Sequence, residues 1–226
     1  MFKAIIDLFF PKVCYACHEV LNDHEQDICT DCRNNLPVTN FHFHKDNNVS
    51  KVFYARVKVE YGTALFRFEK KGLVQQLIHN LKYKGQESIG VFLGDWLGGE
   101  LKTVKEYSEI DMVIPVPLHK NKLKKRGYNQ VAQFAEHIAS ALNVKYIDNV
   151  LLKVTNTDSQ VLKSRFARWT SNEELFTLQN KSTIANKHIL LVDDLITTGA
   201  TMEACINVLN QAENIKISVA CMAIAQ

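Results

Sequence analysis

The stretch His188 to Met202, HILLVDDLITTGATM, narrows the possible folds more than any other part of the chain. It opens as an apolar run, reaches two adjacent carboxylates, Asp193 and Asp194, and passes through a threonine-glycine turn into a helical pattern. A strand that is apolar throughout, rather than alternating, is buried on both faces, as in a parallel sheet covered by helices. Open α/β sheets bind their ligands beyond the carboxyl ends of the strands, so the two acids are expected at a cleft. Thr197, Thr198, Gly199, Ala200 and Thr201 follow, with hydroxyls and closely approachable amides at a helix start, a natural receptor for a phosphate dianion. Ribose hydroxyls donate to carboxylates, so a sugar phosphate satisfies both ends of the motif. Taken singly, the same residues are explained as a capped strand end and a helix N-cap.

The rest of the chain agrees with an α/β core. Leu73, Val74, Leu77, Ile78 and Leu81, then Ile89, Phe92, Leu93, Trp96, Leu97 and Leu101, lie at helical spacing and predict two amphipathic helices. DMVIPVP reads as a compact strand, YNQVAQFAEHIASALN as a helix and IKISVACMAIA as a last strand. Strands alternating with helices predict a mostly parallel sheet flanked by helices. Before these, TNFHFHKDNNVSK is expected to be an irregular linker. ARVKVEY and TALFRFEK, around Gly62, are expected to form a β-hairpin within residues 52–70. The predicted organisation is a small N-terminal segment over residues 1–40 and the α/β domain over residues 41–226.

With 226 residues the chain has room for one full α/β domain and a small appendage. A net charge of +3 implies neither nucleic acid nor an anionic membrane surface by itself. The longest apolar runs fall far short of the roughly 20 residues that span a bilayer, so no membrane insertion is expected. At the start, Asp7 interrupts the apolar segment of MFKAIIDLFFPKVC and no small-residue cleavage site follows, so this reads as a short amphipathic helix ended by Pro11 rather than an export signal. A cytoplasmic setting follows.

Cys14, Cys17, Cys29 and Cys32 have the spacing C-x2-C-x11-C-x2-C, which lets two thiolate pairs converge on one tetrahedral ion. Zn²⁺ is the expected occupant, with an iron–sulfur cluster or disulfides as alternatives. Four sulfur ligands leave no open position, so the metal is expected to be structural and to stabilise a segment with little core of its own. His18 and His24 are expected as exposed loop histidines, and Cys205 and Cys221 as buried apolar thiols.

The segment ILLVDDLITTGATM closely resembles the phosphoribosyl-pyrophosphate (PRPP) motif of the type I phosphoribosyltransferases. The resemblance implies that Asp193 and Asp194 hold the ribose hydroxyls and that Thr197 to Thr201 wrap the 5'-phosphate. A Walker-type loop is a weaker rival, since the chain has no Gly-Lys-Ser or Gly-Lys-Thr. A narrower resemblance is carried by IPVPLHKNKLKKRGYNQ together with LKYKGQ: these look like the signature of the ComF competence-protein family. In that family a four-cysteine finger precedes a phosphoribosyltransferase domain. A segment with Gln, Leu and Arg precedes the final acidic motif, and here DSQVLKSRFARW supplies Gln160, Leu162, Arg165 and Arg168. By similarity Gln160, Arg165 and Arg168 belong to a flap over the ligand; the alternative is surface charge on a turn.

Lys120, Lys122, Lys124, Lys125 and Arg126 form a basic loop beside the expected cleft, a candidate contact for pyrophosphate or DNA; the plainer reading is a solvated loop. Lys82 and Lys84 are read as surface charges at a helix end. The resemblance implies PRPP binding with Mg²⁺ and phosphoribosyl transfer to an unknown acceptor, linked to DNA uptake in natural transformation. No residue identifies itself as a general base, and Asp193 and Asp194 are the only catalytic candidates. The alternative is a non-catalytic module that senses PRPP or handles single-stranded DNA beside other competence proteins, with Tyr128 stacking on a base.

Overall fold

The computed structural model describes residues 11–154 and 175–225. Its centre is a five-stranded, wholly parallel sheet in the order β1-β7-β6-β2-β3, with β1 Gly62–Phe68, β2 Met112–Pro115, β3 Lys145–Tyr146, β6 His188–Ile196 and β7 Lys216–Ala225. Strand alternation sends Leu190 and Val192 of β6 into one core and Ile189 and Leu191 into the other, which is why the segment reads as an unbroken apolar run. A separate antiparallel ribbon joins β4 Leu151–Val154 to β5 Leu175–Leu178.

Helices cover both faces. The short α1 Thr30–Asn35 belongs to the cysteine segment, and α2 Asn48–Phe53 packs on one face with α7 Ala200–Leu209. The other face carries α3 Leu73–Tyr83, α4 Ser88–Leu101 and α6 Ala132–Leu142, with the short α5 Lys120–Arg126 preceding α6. Gly94 lets α4 lie directly on α6: a Cβ there would stand 2.7 Å from both the His137 Cβ and the Phe134 carbonyl oxygen. Among the described residues no helix is long and apolar enough to cross a membrane.

Three expectations are corrected. The β-hairpin around Gly62 is absent: only the second run is a strand, and the first leads into it along β7, with Glu60 N donating to the Ile217 carbonyl at 2.8 Å. Gly62 serves close approach rather than a turn, since a Cβ there would lie 2.7 Å from Val49 Cγ1. The linker is not irregular, because α2 begins within it. Asn47 caps that helix, accepting from Val49 N at 2.9 Å and Ser50 N at 3.1 Å. The basic loop is a helix, α5, started by His119 and closed by Gly127 at φ 89°, whose N–H donates to the Leu123 carbonyl. The predicted N-terminal helix ending at Pro11 lies outside the described residues.

Candidate functional site

Asp193 and Asp194 sit near the carboxyl end of β6, and strand alternation turns them to opposite faces of the sheet. Asp193 is half-buried on the α7 side, where its charge, behind the larger effect of burial, raises the Cys221 thiol well above its ordinary range. Its Oδ1 also accepts from Asp194 N at 2.8 Å. Asp194 faces α3 and α6 and is 6% exposed. Lys82 Nζ lies 2.7 Å from its Oδ1, and Gln130 Nε2 donates to its Oδ2. Gln130 Oε1 in turn accepts from Arg126, so a continuous polar chain runs from the basic helix to the acid pair.

The threonine-glycine turn follows directly. Thr197 and Thr198 are exposed, and Gly199 takes the left-handed conformation, φ 76°, to enter α7. Ala200 N, the first amide of α7, donates to Thr198 Oγ1 at 3.4 Å, and the helix dipole at this end favours an anion. The turn is braced from behind. Arg56 Nη1 donates to the Thr198 carbonyl at 2.7 Å and to the Val52 carbonyl at 3.1 Å, while its Nη2 pairs with Glu203.

Between the end of α3 and α5 lies a cleft of about 320 Å³ lined by Lys82, Tyr83, Gly85, Lys122, Lys125, Arg126 and Tyr128. Arg126 stands 5.4 Å from the Tyr83 ring centre, and Tyr83 is 68% exposed. Tyr128 is half-buried and donates to the Leu81 carbonyl, which ties α5 to α3. The cleft is cationic and bears aromatic rings, and it touches the acid pair through Lys82.

At the N-terminus the sulfur atoms of Cys14, Cys17, Cys29 and Cys32 lie within 4.8 Å of one another, and none is in a disulfide. Cys29 N donates to Cys14 Sγ at 3.3 Å and Cys32 N to Cys29 Sγ at 3.4 Å, bonds that stabilise thiolate ligands. Burial raises the Cys14 thiol, but amide donors outweigh it and hold the group down at about 7. The set fits a tetrahedral Zn²⁺ and offers no opening for substrate. The knuckle is not isolated: Cys14, Ala16, Ile28, Cys32 and Leu36 share the core of the α3–α4 face, and Asn80 on α3 donates to the Tyr15 carbonyl at 2.7 Å.

Comparison with known proteins gives the same two parts. The model of the phosphoribosyl transferase domain matches residues 130–225, and that of the double zinc ribbon domain matches residues 5–42. The chain pairs a zinc ribbon with a phosphoribosyl transferase domain. It is 26% identical over 197 residues to competence protein ComFC of Bacillus subtilis, covering 84% of this chain and 75% of that protein. ComFC of Streptococcus pneumoniae is 30% identical over 149 residues (66% of this chain, 61% of that one), and competence protein F of Haemophilus influenzae is 28% identical over 130 (56% and 57%). The resemblance to the ComF family is thus borne out, although the chain spans only 57% of the length of the Haemophilus relative. Among solved structures, glutamine PRPP amidotransferase from B. subtilis aligns with TM-score 0.44 and 16% identity over 64% of this chain and 30% of that one. Adenine phosphoribosyl transferase from Trypanosoma brucei aligns with TM-score 0.38 and 19% identity over 78% and 68%.

Of the residues singled out from the sequence, the structure brings Lys122, Lys125 and Arg126 to one cleft, while Lys120 and Lys124 are exposed on α5 outside its lining. Gln160, Arg165 and Arg168, the flap candidates, lie outside the described residues. His18 and His24 are exposed and Cys205 and Cys221 are buried, as expected. Lys82 corrects its reading as a surface charge, since its ammonium is bound to Asp194. Gln130 and Arg56 were missed. Gln130 stands inside the quoted GYNQ signature, but Arg56 lies 142 residues from Thr198 and carries no local signal.

Proposed function

We propose that this chain binds PRPP with Mg²⁺ and transfers its phosphoribosyl group to an acceptor not yet identified, in the service of DNA uptake. The observation that carries this reading is the acid pair of β6 followed at once by the exposed threonine turn and the N-terminus of α7. In this reading Asp193 and Asp194 accept from the ribose hydroxyls, and Thr197, Thr198, Gly199, Ala200 and Thr201 surround the 5'-phosphate. Lys122, Lys125 and Arg126 face the diphosphate and stabilise the charge that grows on it as the anomeric carbon loses it. The carboxylate of Asp193 and the diphosphate itself are hard oxygen donors of the kind Mg²⁺ takes, and the ion supplies charge neutralisation to the leaving group. In this reading residues 1–40 supply a zinc-stapled module ahead of the domain of residues 41–226, and cysteines outside any disulfide suit a reducing cytoplasm.

Calorimetric titration with PRPP and Mg²⁺ tests binding, followed by a pyrophosphate-release assay over bases and oligonucleotides. Release is expected with one acceptor class and is lost in Asp193→Asn and Asp194→Asn. A wild-type chain that does not bind PRPP overturns the reading.

A second reading is favoured by the cleft, where cations stand beside the exposed Tyr83: a non-catalytic module that holds single-stranded DNA alongside other competence proteins. It predicts oligonucleotide binding that weakens with salt, with a slope that shrinks when Lys122 and Lys125 are neutralised, and no pyrophosphate release.

A further inference from the structure

Both oxygens of Asp194 are engaged by protein donors, Oδ1 by the Lys82 ammonium at 2.7 Å and Oδ2 by the Gln130 amide. Asp194 is 6% exposed, so the Lys82 ammonium stands in the approach of a sugar hydroxyl to Oδ1. We propose that Lys82 determines specificity at this site: it guards Asp194 and yields it only to a sugar that also carries a polyphosphate. The inference rests on the PRPP reading given above.

The guard is electrostatic. Lys82 also lines the basic cleft, so its flexible stem offers one other place for the charge, among Lys122, Lys125 and Arg126. Three like charges repel it there, while leaving behind an unpaired, buried carboxylate is costly. A diphosphate in the cleft reverses the first cost, and ribose hydroxyls on Asp194 offset the second. Neither alone suffices. A sugar with only a 5'-phosphate, held at the threonine turn, gives Lys82 nowhere to go. Gln130 stays on Oδ2 while accepting from Arg126, so the acid keeps its position as the ammonium moves.

Titration of the full chain with PRPP, ribose 5-phosphate and inorganic pyrophosphate, each with Mg²⁺, tests this. In Lys82→Met the ratio of PRPP to ribose 5-phosphate affinity falls roughly tenfold or more, the worth of one charge-assisted bond. Ribose 5-phosphate itself binds no more weakly than to the wild type. Lys82→Arg, which keeps the charge, retains the ratio within about threefold. Thermal melting shows whether Lys82→Met is folded; if it is not, Asp194→Asn decides, because the neutral amide releases Lys82 to the cleft and pyrophosphate then binds several-fold tighter. An unchanged ratio in folded Lys82→Met, or pyrophosphate binding in Asp194→Asn no tighter than in the wild type, overturns the inference and leaves the PRPP reading standing. A wild-type chain that binds neither PRPP nor pyrophosphate removes both.

Discussion

Replacing Gly199 by alanine puts one methyl group where the phosphate turn, the start of α7 and α2 meet. The added Cβ would stand 2.4 Å from Val52 Cγ1 and 3.1 Å from Phe53 Cε1, distances that real Cβ contacts do not tolerate without movement. Phe53 is 1% exposed and cannot move outward. The backbone at φ 76° adds a separate cost, about 1 to 2 kcal/mol for an L side chain held in the left-handed region. Overpacking contributes about 1 to 3 kcal/mol more, so the sum expected in urea unfolding is about 2 to 5 kcal/mol. The two parts separate in a double-mutant cycle. Val52→Ala removes the methyl that clashes, so in the Gly199→Ala background it restores most of the overpacking share and none of the backbone share. A Gly199→Ala chain less than about 0.5 kcal/mol below wild type, within the usual range of surface changes, or a cycle with no coupling to Val52, refutes the packing argument.

Asn47→Ala removes the cap of α2 and leaves the carbonyls of Phe41, His44 and Gly62 without the Asn47 amide donor; a loss of about 3 kcal/mol is expected in chemical unfolding. Burial, reinforced by the neighbouring His44, lowers His42 from 6.5 to about 4. The folded chain therefore holds it neutral while the unfolded chain protonates it. Its contribution is complete above pH 6.5 and declines as the pH falls toward 4, by about 3 kcal/mol in all, with Glu100 Oε2 at 3.4 Å opposing the loss; His42→Leu should flatten that part of the stability-pH curve. Purified protein should contain about one zinc per chain, and chelation should raise hydrogen exchange first in residues 13–36; metal-free protein with unchanged exchange there refutes the structural role.

The parallel sheet and its helices were legible because two-sided burial writes continuous apolar runs such as Ile189–Val192, and helical spacing marks α3 and α4 without help from distant residues. The cysteine spacing and the acid–threonine motif were legible for a similar reason: each places its chemistry within one short continuous segment. What failed was contact-dependent. Gly62 has the sequence look of a turn, yet its lack of a side chain serves Val49, thirteen residues earlier in the chain and against it in space. Lys82 has the look of a solvated helix end, and only the meeting of α3 with β6 turns it into the partner of an acid 112 residues away. The basic segment could have been read as a helix, because cations in its last turn followed by Gly127 are a C-terminal signal in their own right.

The zinc knuckle and the phosphate turn look unrelated in the sequence, but both pack against segments that precede residue 130. Asn80, two residues before Lys82 on α3, donates to the Tyr15 carbonyl beside the first cysteine pair, and Ser88 at the start of α4 donates to Asp27 beside the second at 2.9 Å. A metal that closes the cysteine loops therefore fixes the end of the helix that presents Lys82 to Asp194. Arg56 and Val52 brace the turn on the opposite face. Each half of the candidate site is thus held from outside the phosphoribosyl transferase match at residues 130–225, by segments that precede it in the chain. A fragment beginning near residue 130 would keep the acid pair and the turn but lose Lys82, Arg56 and β1, an edge strand of the sheet. On this argument the part of the chain before residue 130 belongs to the site's architecture rather than being an attachment to it.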